Sequence, residues 1–80
     1  MNLFVDITPP DSDGMKVSLS IDNIREIHAS TVQTGGYTKI VFVRGEQIWA
    51  IEPRADIVAE ITEIQDSAAR KLALAQRLTK

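Results

Sequence analysis

The sequence predicts an α+β domain: an antiparallel meander of three to four strands packed against one long C-terminal helix. Three observations carry this. Between Met15 and Ile51, apolar and polar residues alternate in short runs separated by turn residues. After Pro53 the apolar spacing changes to steps of three and four, the period of a helix. No Gly or Pro follows Pro53 to break that helix. The chain reads as one domain over 1–80, with a short strand and loop over 1–14, the meander over 15–52 and the helix over 53–79.

Leu3 to Thr8 alternates loosely and predicts a short strand. Pro9-Pro10-Asp11-Ser12-Asp13-Gly14 must be a loop, because two prolines and an Asp/Gly cluster continue neither regular structure. Met15 to Ile21 has period two, with Met15, Val17, Leu19 and Ile21 on the face expected to be buried. Asp22-Asn23 is a turn signal. Ile24 and Ile27 stand three apart, which points to a helical turn before the chain extends through His28 to Val32. Thr34-Gly35-Gly36 supplies the residues of a hairpin connection. Tyr37 to Arg44 is the strongest strand, β-branched and aromatic through its centre. Gly45-Glu46 turns the chain into a further strand, Gln47 to Ile51. Connections this short make successive strands antiparallel.

From about Arg54 to about Leu78 the helix would measure roughly 37 Å at 1.5 Å per residue. Strands of five to eight residues span only roughly 17–27 Å. The sheet therefore covers the first half of the helix, through Ile57, Ile61, Ile64 and Ala68. Leu72, Leu74, Ala75 and Leu78 are left with little to bury against. The helix is acidic first (Asp56, Glu60, Glu63, Asp66) and basic later (Arg70, Lys71, Arg77, Lys80). This order suits the helix macrodipole. It also suits two helices lying antiparallel, each acidic half against the other's basic half.

Composition narrows the function. Apolar residues make up 44% and charged residues 25%, as in ordinary folded domains. There is no cysteine, which removes disulfides, thiolate nucleophiles and thiolate metal sites, and fits a reducing compartment. The first ten residues carry Asp6 and no basic run, unlike a signal peptide. No stretch approaches the roughly 20 apolar residues that cross a bilayer. A cytoplasmic protein without membrane contact is expected. The net charge of −2 speaks against a sequence-independent grip on nucleic acid.

Catalytic and metal chemistry find little to use. His28 is the single histidine, so it has no partner for a metal pair. Asp11-Ser12-Asp13-Gly14 has the opening of a calcium loop, but Met15 and Lys16 stand where a ligand and a glycine are needed. Gly35-Gly36 is not followed by a helix, so it lacks the amide array that holds phosphate. Glu60 and Glu63 read as a solvated helix face. Trp49 and Phe42 read first as core, with Trp49 the candidate for a protein contact. Arg25, Lys39, Arg44 and Tyr37 form the alternative set, suited to phosphates and stacked bases.

Ile24 and Ile27, Thr38 and Ile40, Gly45, Glu52, Ile57 and Ile61 together form an ordered pattern. Paired isoleucines lead into a Thr-x-Ile strand, a glycine turn, a strand ending in Glu, and a helix. In this the segment Ser20 to Ile64 resembles the small bacterial flagellar and swarming-motility protein family. The pattern stops short of Met1 to Gly14 and of the helix beyond Gln65, and the loop at Gln33 to Gly36 is longer here. The resemblance implies a sheet-plus-helix fold and a non-enzymatic role, an architecture that a phage protein would equally carry. The expectation is a non-catalytic interaction module, an adaptor or modulator of a bacterial or phage assembly. It has no cofactor and no small-molecule substrate. It forms a homo-oligomer, a dimer by preference, through Ile61, Ile64, Ala68, Leu72, Ala75 and Leu78, with Trp49 a further contact for another protein. A small nucleic-acid-binding regulator is the alternative.

Overall fold

A computed structural model describes residues 3–32 and 35–78. The elements run β1 (Phe4–Ile7), β2 (Val17–Ser20), a 3-10 turn (Ile21–Asn23), β3 (Ile24–His28), β4 (Thr38–Phe42), β5 (Gln47–Ala50) and α1 (Arg54–Leu78). They form two antiparallel sheets, the hairpin β1-β2 and the meander β3-β4-β5, with one long helix. The small α+β fold expected from the sequence is the one observed.

The β1-β2 connection is built by its own residues. The Met15 N–H donates to the Ser12 carbonyl at 3.0 Å, and the two residues between, Asp13 and Gly14, both have positive φ, 53° and 82°. Two left-handed residues in succession define the turn that Asp-Gly favours. Gly45, at φ 96°, closes the β4-β5 turn, where its N–H reaches the Phe42 carbonyl at 2.9 Å. Gly35 and Gly36 also take positive φ in the β3-β4 connection; Gln33 and Thr34 of that connection lie outside the described residues.

The Ile51 N–H donates to the Thr8 carbonyl at 2.9 Å and joins the end of β5 to the end of β1, while the Val43 N–H donates to the Asn23 carbonyl at 2.7 Å and continues the β3-β4 pairing beyond Ile24 and Phe42. Between the sheets lies one core of Val5, Ile7, Leu19, Ile21, Ile40, Ala50 and Ile57. Ile24, Ile27, Phe42, Ile48, Ile61 and Ile64 pack around it. The helix lies against β1. Pro53 precedes it as the first acceptor, receiving the Ile57 N–H at 3.2 Å, so the missing proline N–H costs no helical bond. The Arg54 guanidinium donates to the Ile27 carbonyl at 3.0 Å and ties the first turn to β3.

Three expectations are corrected. Ile24 and Ile27 are not a helical turn: both lie on β3, and a bulge between Ile24 and Glu26 resets the alternation so that two residues three apart face one core. The helical turn comes earlier, at Ile21–Asn23, and β3 ends at His28 rather than Val32. Met15 and Val17 do not share the burial of Leu19 and Ile21. Met15 lies in the connection before the paired residues and is 72% exposed, and Val17, paired with Ile7, begins β2 at the loop end of the hairpin.

Candidate functional site

The meander has two unlike faces, and strand register states which residues share each. Ile27, Ile40 and Ile48 stand in one row across the three strands, facing the core. On the other face His28, Lys39 and Trp49 form one row and Glu26, Val41 and Gln47 the next. Directly opposed side chains have Cβ atoms about 5 Å apart, so Lys39 and Trp49 are neighbours. Trp49 is 37% exposed here. It is not a core residue, because Ile48 and Ala50 take the inward positions of β5. Phe42 does pack against the core. Val41 is buried on the outer face, between Glu26 and Gln47.

The polar residues of that face interact among themselves. Glu26 accepts from Arg25 at 3.1 Å and lies 3.0 Å from His28 Nε2. The His28 hydrogen bond, joined by the hydrogen bond and charge of Arg25, outweighs desolvation and holds the Glu26 carboxyl below its ordinary range. Of the basic set, Arg25 and Lys39 lie on β3 and β4, Arg44 lies in the turn after β4, and Tyr37 immediately precedes β4. Among the described residues no group of three or more His, Asp or Glu side chains gathers as a metal site would require.

A different polar cluster holds the sheets together. The Glu52 carboxylate accepts the Thr8 N–H at 2.8 Å on one oxygen and the Thr8 hydroxyl at 2.7 Å on the other. The Glu52 carbonyl accepts the hydroxyl of buried Thr38 at 2.6 Å. Burial raises the Glu52 pKa, but the two bonds from Thr8, with the more distant Lys16 charge, lower it further, and the net shift is downward. No sequence signal singled out this clasp.

The helix divides as its length demands. Ile57 is buried, and Ile61 and Ile64 pack against the core. Ala68 is half-buried and Ala75 exposed. Leu72 and Leu74 are 54% and 58% exposed. Leu78 ends the helix; its side chain, with Thr79 and Lys80, lies outside the described residues. The helix thus runs about 20 Å beyond Ile64, its last core contact. Among the described residues no helix is long and apolar enough to cross a membrane. The chain matches no protein-family model, no curated protein and no solved structure.

Proposed function

We propose that the protein is a non-catalytic interaction module that self-associates through the second half of α1 and presents the open face of its meander to another protein. The observation that carries this is the exposure of Leu72 and Leu74, 54% and 58%, on a helix that has left its own core. A leucine left about half exposed forgoes about 1 kcal/mol of burial. Two such leucines, separated by Ala73 on a helix end beyond the core, are apolar surface that association would bury. Trp49 beside Lys39 on the uncovered sheet face supports the second contact, since tryptophan is enriched at the centres of interfaces. The pattern shared with small flagellar and swarming proteins supports a role as adaptor or modulator of a bacterial or phage assembly. The lack of cysteine supports a cytoplasmic setting.

Light scattering after size exclusion tests the self-association. The full chain is expected to be dimeric, and a variant with Leu72→Gln and Leu74→Gln monomeric with unchanged helicity. A full chain that stays monomeric at the highest attainable concentration rejects the reading. The nucleic-acid alternative, resting on Arg25, Lys39, Arg44 and Tyr37, differs in its response to salt. Its binding would fall steeply as salt rises, whereas apolar helix association would not.

A further inference from the structure

Between Leu3 and the helix lies a groove of about 500 Å³, lined on α1 by Glu60, Glu63, Ile64, Ser67, Ala68 and Lys71. It sits where the chain's own core ends, since Ile64 is the last helix side chain packed there. Glu60, Ile64, Ser67, Lys71 and Leu74 follow at steps of four and three, so one stripe of the helix leads from the groove onto exposed Leu74. This stripe is acidic where it begins, small at Ser67 and Ala68, and basic at Lys71. Such an order is complementary to itself when reversed.

Resting on the self-association proposed above, we infer that the groove receives the same helix of a second copy, antiparallel, with the two-fold axis passing Ser67 and Ala68. Small side chains at the axis let the helices approach closely. Glu63 then stands level with the partner's Lys71 and Leu72, and Glu60 with the partner's Leu74 and Ala75, each relation occurring twice by symmetry. Leu72 and Leu74 of each copy come level with the part of the other helix that Leu3 and Ile64 flank. Apolar burial supplies the attraction, and the Glu63–Lys71 relation sets the direction. A parallel pair would set Glu63 beside Glu63 and Lys71 beside Lys71.

A chain without cysteine allows a direct test with single thiols in the full-length protein. Across the proposed axis the thiols of Ser67→Cys meet, whereas those of Ala75→Cys stand about 22 Å apart along the helices. Under mild oxidation Ser67→Cys should form a disulfide dimer readily and Ala75→Cys should not. Equal rates, a faster Ala75→Cys, or no cross-link in a chain that is dimeric by scattering would overturn this geometry while leaving self-association standing. Lys71→Glu should weaken the dimer about tenfold, and adding Glu63→Lys should restore it. A dimer that the double exchange does not restore also overturns the pairing. A wild-type chain that is monomeric overturns the self-association itself, and the groove then awaits a different protein's helix.

Discussion

Glu52 is the residue on which most of the fold's long-range polar structure depends. One side chain satisfies both the N–H and the hydroxyl of Thr8, and its carbonyl satisfies Thr38. Both threonines are buried, at 5% and 1% exposure, so a lost partner leaves a polar atom without water. Glu52→Gln keeps the shape but loses the charge and one acceptor, and should cost about 1–2 kcal/mol near neutral pH. The pH dependence has a definite sign. The folded pKa lies below the unfolded value, so the contribution is fully present above the unfolded pKa and is lost as pH falls through the folded one. Urea unfolding of wild type and Glu52→Gln at about pH 7 and about pH 3.5 checks both statements. The difference between the two proteins should narrow towards the acid end, and a constant difference would refute the clasp. None of this was legible from composition or period, because Thr8 and Glu52 are 44 residues apart.

At the scale of elements, periodicity was a good guide to existence and a poor one to orientation. The helix was legible end to end, since Pro53 opens it and no Gly or Pro follows. Four strands lay where alternation placed them, each shorter than its run. β3 was misread because a bulge mimics the three-residue step of a helical turn. The face of Trp49 was not legible either. Gln47 to Ile51 alternates cleanly, but only the strands beside it decide which half of the alternation faces inward. The divided helix yields its own prediction. Ile57→Ala removes a side chain that is 1% exposed and should cost about 2–5 kcal/mol. Leu72→Ala, measured in dilute solution, should change stability by less than about 0.5 kcal/mol. Thermal unfolding of the two variants separates these outcomes. Equal costs would mean that the second half of α1 is packed within its own chain.

The whole molecule is long for its size. It measures 53 × 25 × 19 Å with a radius of gyration of 14.9 Å, against about 12 Å for a compact chain of this length. The overhang responsible was legible in advance from arithmetic alone, by setting the rise of a helix against the span of short strands. The groove was not, because it depends on β1 bringing Leu3 beside residues some sixty positions later in the chain. A site formed by one sequence-local surface can be read from its period. A site formed by two distant segments needs the packing that joins them.

The Glu52 clasp also bears on how quickly the fold is made and lost. Neighbouring strands of the meander need only short loops to close, whereas bringing Thr8 to Glu52 closes one of 44 residues and carries a larger entropic cost. The local hairpins should therefore assemble first and the clasp only after the rate-limiting barrier. Breaking it by Glu52→Gln should accelerate unfolding and leave the refolding rate nearly unchanged, a φ-value near zero. Stopped-flow chevrons would show superimposed refolding arms and a raised unfolding arm; a slowed refolding arm would place the clasp in the nucleus instead. On this account Glu52 is a latch, governing how long the folded chain lasts rather than how fast it forms.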